Sequence, residues 1–129
     1  MTTFFLVFKR EKKGARLLLT RSGQSEPWGL PSATIEGPVD KTRVSAALAS
    51  YFDKIDVSEP AEVAERELHG ADRVFGRARA RAYECVVSGS TAARSILRAW
   101  FAPLDAAIPN LTEEAFAALH LPYIQGRAL

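Results

Sequence analysis

The chain has 129 residues, room for one compact domain with a real core and too few for two. Its apolar, charged and aromatic shares are those of a soluble globular protein, which excludes a largely disordered chain. With 17 basic against 15 acidic residues the net charge is +2, too small to argue for a nucleic-acid partner by charge, and none is expected.

Residues 3–9 and 16–21 are β-rich runs separated by a short charged segment containing Gly14, a hairpin pattern. The first run is apolar but short, has no basic start and is interrupted by Lys9 and Arg10. It reads as a strand, not a signal peptide. No apolar stretch approaches membrane-spanning length, so no membrane contact is expected. Gly23, Pro27, Gly29 and Pro31 make residues 22–32 a loop, pinned to the core by Trp28 and Leu30.

Asp40 is placed to cap a helix running to about residue 54. Val44, Ala47, Leu48, Tyr51 and Ile55 recur at spacings of three and four, and Phe52 widens that apolar stripe. Residues 58–68 have helical propensity, with Ser58 as a cap and Gly70 as a stop. Residues 77–87 alternate cleanly, so a strand is predicted there. Arg77, Arg79, Arg81, Tyr83 and Cys85 share one face, and Ala78, Ala80, Ala82 and Glu84 the other. Residues 88–91 form a turn, residues 95–101 a further strand ended by Pro103, and residues 113–120 a last helix capped by Asn110 or Thr112 and stopped by Pro122.

Cys85 is the single cysteine. No intrachain disulfide can form, which suits a reducing, cytoplasmic setting. In an apolar strand it reads as a buried structural thiol rather than a nucleophile. His69 and His120 have no partners at metal-ligand or triad spacing, and no phosphate-binding loop or dinucleotide fingerprint is present.

The run Trp28-Gly29-Leu30-Pro31-Ser32-Ala33-Thr34-Ile35-Glu36, between hairpin and helix, resembles the approach to the signature box of the Nudix hydrolase family. Members cleave nucleoside diphosphates linked to another group. The resemblance extends along the chain as an order of elements. It implies an α+β fold, an α/β/α sandwich around a mixed sheet, and a strand rather than a helix near residues 62–69. The box itself, G-x5-E-x7-R-E-U-x-E-E-x-G-U with U aliphatic, is matched only at Ile55 when laid from residue 33. Its remaining positions hold Ala33, Val39, Ala47, Leu48, Ala49, Tyr51, Phe52 and Lys54.

The family's chemistry needs Mg²⁺ or Mn²⁺ held by box-helix carboxylates, to carry charge on phosphate oxygens and to place a water. The two main ligand positions, four apart on one helix face, hold Leu48 and Phe52 here. No metal site or cofactor is therefore expected. The resemblance implies a degenerate-box pseudoenzyme whose former cleft binds a small, nucleotide-like ligand or a protein partner. Trp28, Glu36, Leu48, Tyr51, Phe52 and the ladder Arg77, Arg79 and Arg81 are its candidate contacts, the arginines as anion clamps.

Three alternatives stay open at this point. Leu48, Tyr51 and Phe52 fit a stripe packed under the sheet as well as a pocket wall. An active enzyme would be either a diphosphohydrolase with relocated ligands that uses Mg²⁺ or an enzyme of altered chemistry, with Glu36 and Glu84 as its acid/base groups. A homodimer could cover the apolar helix face.

Overall fold

The computed structural model describes residues 2–12, 14–64, 67, 81–89 and 91–128. Its strands are β1 (Thr2–Arg10), β2 (Ala15–Thr20), β3 (Ser32–Thr34), β4 (Asp56–Val57), β5 (Ala61–Glu62), β6 (Arg81–Ser88) and β7 (Ala99–Pro103). The helices are α1 (Lys41–Leu48), α2 (Glu113–Leu119) and α3 (Pro122–Gln125), followed by a 3₁₀ turn at Gly126–Ala128. The strands form one mixed sheet in the order β4-β6-β1-β2-β7, with β3 added to β1 and β5 to β6.

β1 organises the sheet. One edge pairs in parallel with β6, from Thr3 opposite Arg81 to Lys9 opposite Val87. The other edge is shared: Thr2–Phe4 pair with β3 and Phe8–Arg10 with β2, both antiparallel. A strand covered on both faces should read as a near-continuous apolar run, and Phe4-Phe5-Leu6-Val7-Phe8 does. Phe4, Leu6 and Phe8 enter one core with Leu17, Leu19, Leu30, Ala102, Leu119 and Ile124, beneath α2 and α3. Phe5 and Val7 enter a second core with Leu18, Ile35, Val44, Leu48, Phe52 and Cys85, beneath α1. The architecture is the expected α/β/α sandwich around a mixed sheet.

Several boundaries differ from the sequence reading. α1 ends at Leu48, not near residue 54, although the amide of Phe52 still donates to the Leu48 carbonyl at 3.1 Å. That bond keeps Phe52 on the Val44–Leu48 face while its backbone leaves the helix to bridge Ala93. β6 runs on through Ser88, and residues 96–98 are turn, outside β7. Pro103 lies within β7, an edge strand in the sheet order, where a missing N–H costs little. Thr112, not Asn110, caps α2, its hydroxyl accepting from the Ala115 amide at 3.2 Å. Pro122 does not end the helical region but begins α3 at its first turn, where proline has no amide to lose. β3 and β4 are too short to show a period in the sequence.

Near residues 62–69, β5 and the bond from the Val63 amide to the Ala82 carbonyl (2.8 Å) fit the strand reading over the helix for residues 61–63. Residues 77–80 of the predicted strand, with Arg77 and Arg79, lie outside the described residues, as does His69.

Candidate functional site

The loop before α1 is built by arginines. Gly37 takes φ +83°, a left-handed conformation that reverses the chain between β3 and α1. Arg81 Nη2 donates to the carbonyls of Ile35 (3.1 Å) and Gly37 (3.4 Å) and to Thr3 Oγ1 (3.3 Å). Arg43 Nη1 donates to the Glu36 carbonyl at 2.6 Å, and Asp40 caps α1 by accepting from the Arg43 amide at 2.9 Å. Arg81 therefore spends its terminal donors on two main-chain oxygens and the Thr3 hydroxyl, a tether between β6 and this loop. Glu36 stands exposed at the loop's turn.

Leu48 has no solvent exposure and Phe52 has 2%. Phe52 packs on Phe101 at 5.8 Å between ring centres. Leu48 and Phe52, expected as ligand contacts, both pack into the core under α1, and Phe52 also borders a shallow hollow with Ser45, Ala49 and Asp53. Tyr51 is half-buried beside them, with the Arg98 guanidinium 5.4 Å from its ring. Arg94 Nε pairs with Asp53 at 3.2 Å on the surface next to this turn.

Glu84 lies on the opposite face of the sheet from Arg81 and Cys85. Its Oε2 accepts from the Tyr123 hydroxyl and from Arg127 Nη2 at 2.6 Å, and Arg127 also reaches the Tyr123 oxygen at 3.0 Å. Burial first, then the bond to Glu84, pushes the Tyr123 hydroxyl up to about 12. The Arg127 guanidinium lies 4.5 Å from the Phe8 ring, so this cluster ties the 3₁₀ turn to β6 and β1. Glu84 is engaged by two donors on this face of the sheet, whereas Glu36 is exposed in the loop before α1. Cys85, on the α1 side, is buried; burial, then the neighbouring Glu84 charge, pushes its thiol up to about 12.

Trp28 belongs to the α2 side. Its amide donates to the Asn110 carbonyl and its carbonyl accepts from the Thr112 amide, both at 2.8 Å, stapling the loop to the start of α2. Its ring lies 6.1 Å from Trp100 and 4.1 Å beneath the Arg21 guanidinium. The residues expected to share one cleft are thus divided between the two faces: Leu48, Tyr51, Phe52 and Arg81 on the α1 side, Trp28 and Glu84 on the other.

One hollow was not foreseen from the sequence. A cavity of about 770 Å³ opens between residues 104–111 and α2 and α3. Its walls are apolar, chiefly Leu104, Ile108, Pro109, Leu111 and Leu119, with Asp105, His120 and Gln125 as its hydrogen-bonding side chains. Phe116 is 56% exposed at its rim and stacks on the His120 ring at 4.2 Å. The one sequence signal was this aromatic pair four residues apart on a helix, a spacing that places two rings together. Among the described residues no three His, Cys, Asp or Glu side chains gather into a group able to hold a metal ion, and no helix is long and apolar enough to cross a membrane.

Comparison of the sequence with protein-family models and with curated proteins found no match. Among solved structures, the chain is similar to a Nudix hydrolase from M. smegmatis, RenU, at 14% identity and a TM-score of 0.44, over 88% of this chain and 79% of that one. It is also similar to the Nudix domain of Shewanella oneidensis NrtR complexed with ADP ribose, at 17% identity and a TM-score of 0.38, over 80% and 71% of the two chains. NrtR complexed with a 27mer DNA is matched at 14% identity and a TM-score of 0.34, over 99% of this chain and 57% of that one.

Proposed function

We propose that this protein binds a small molecule without hydrolysing phosphoanhydrides, on a Nudix-like sandwich whose helix α1 serves the core. The observation that carries the reading is the burial of Leu48 and Phe52, which fills the helix face where the resemblance would put metal-binding carboxylates. Exposed positions of α1 and the two residues after it bring Lys41, Thr42, Arg43, Ala46, Ala49 and Ser50, none of them a carboxylate, and the exposed Asp53 beyond them is paired with Arg94. The small molecule is received in the cavity beside α2, whose volume falls in the range of about 300–1,000 Å³ usual for such sites and whose walls are mostly apolar.

The test is a phosphate-release panel of nucleoside triphosphates, sugar nucleotides, dinucleoside polyphosphates and ADP-ribose, run with Mg²⁺, with Mn²⁺ and with chelator. The expected result is no metal-dependent turnover. Turnover abolished by chelator would overturn the reading and direct attention to Glu36 and the carboxylates beyond the described residues.

A further inference from the structure

We infer that the cavity beside α2 selects a flat aromatic ligand carrying an ammonium or other cationic donor group. This rests on the reading of that cavity as the binding site and adds the chemistry of what enters it.

The argument is an inventory of donors and acceptors. Gln125 Nε2 is turned away from a ligand, donating to the carbonyls of Leu104 (3.1 Å) and Leu119. Its side-chain oxygen, an acceptor, is what remains. His120 Nδ1 lies 2.8 Å from the Phe116 carbonyl, and a carbonyl oxygen only accepts, so Nδ1 carries the proton. In the neutral ring Nε2 is then an acceptor as well. Asp105, the third polar side chain, is a carboxylate and accepts only. Among the described residues no lysine or arginine lines the cavity. Its polar side chains therefore present acceptors and negative charge, the complement of a cationic donor and hostile to a carboxylate or phosphate.

The rim sets the shape. Phe116 exposes more than half of its surface although it sits on a helix whose inward positions Ala115, Ala118 and Leu119 are buried. Phe116 stacks on His120 with the rings tilted by 28°, and an exposed aromatic ring can stack on a planar ligand and face its charge. The surrounding walls from Leu104, Ile108 and Leu111 accept an apolar body.

Three probes of one shape decide the matter at pH 8: 1-naphthylmethylamine, which is cationic, 1-naphthylmethanol, which is neutral, and 1-naphthoate, which is anionic. Binding is read by amide chemical-shift titration of the isotope-labelled full chain. Saturable shifts confined to residues 104–111 and 115–121 are expected, with the amine bound at least about fivefold tighter than the naphthoate, the scale of one partly exposed charge contact. Asp105→Asn should remove most of that preference while leaving the neutral probe's affinity in place. Phe116→Ala should weaken all three, and its exposure makes it a mild change to the fold. If the neutral probe shifts the cavity residues and amine and naphthoate bind equally, the charge selection is wrong and the binding site stands. If none of the three shifts these residues, both the selection and the site are refuted.

Discussion

Replacing Leu48 by alanine and by glutamate separates a core residue from a pocket residue. Leu48 has no exposed surface and packs among Phe5, Val44, Phe52 and Cys85. Leu→Ala removes three carbon groups at ~0.8 kcal/mol each, and the cavity left behind raises the loss to ~3–4 kcal/mol. With an unfolding entropy of ~2.1 cal/mol/K per residue, 129 residues give ~0.27 kcal/mol per degree, so Tm should fall by about 11–15 °C. Leu48→Glu should be worse, because an unpaired carboxylate in an apolar core costs several kcal/mol or stays protonated there. Thermal and urea unfolding followed by circular dichroism reads both. A Leu48→Glu protein with unchanged Tm and newly acquired Mg²⁺ binding would mean that position 48 faces an open cleft, and the reasoning built on its burial would fail.

Other consequences can be checked on the same protein. Cys85 and Tyr123 both hold their protons more tightly in the folded chain, up to about 12, than at their ordinary values of 9.0 and 10.0. The unfolded chain therefore gives up these protons first, and stability should fall as pH rises from 9 towards 12. In Cys85→Ala the fall should begin nearer 10, and urea midpoints at half-unit pH steps would show it; an unchanged onset would deny the thiol its part. Iodoacetamide should leave Cys85, 3% exposed, unlabelled in the native protein and label it once the chain is unfolded, as mass spectrometry can follow. Rapid native labelling would contradict the burial. Thr112→Ala should cost ~1 kcal/mol by removing the cap of α2, measured as a shift in the urea midpoint; no shift would mean that water satisfies the Ala115 amide equally well.

The layered fold was legible because it depends on periodicity. The apolar run at residues 4–8, the alternation through Arg81–Ser88 and the Val44–Leu48–Phe52 stripe each report burial directly, and burial is what assembles the layers. The same evidence left the role of the α1 stripe open. An apolar stripe looks alike whether it fills a core or walls a pocket, and only the position of the sheet settles Leu48 and Phe52. The division of Trp28 and Glu84 from Tyr51 and Arg81 depends on which face each strand presents, a property of the whole sheet. Arg81 looked free because two of its partners are the main-chain oxygens of Ile35 and Gly37, which every sequence has and none displays. The cavity beside α2 is bounded by residues 104–111, a stretch without period, so only the Phe116 and His120 pair at its rim left a mark in the sequence.

The parallel pairing of β1 with β6 joins Thr3 to Arg81 and Lys9 to Val87, partners separated by 78 residues. During synthesis the ribosome must therefore deliver two-thirds of the chain before the central strand can find its neighbour. Until then Phe4, Phe5, Leu6, Val7 and Phe8 form a naked, aggregation-prone segment, with only the hairpin to β2 and the short β3 to shield it. Assembly of the sheet is thus a late event, and the interval before it is the one in which a chaperone would matter most to this protein.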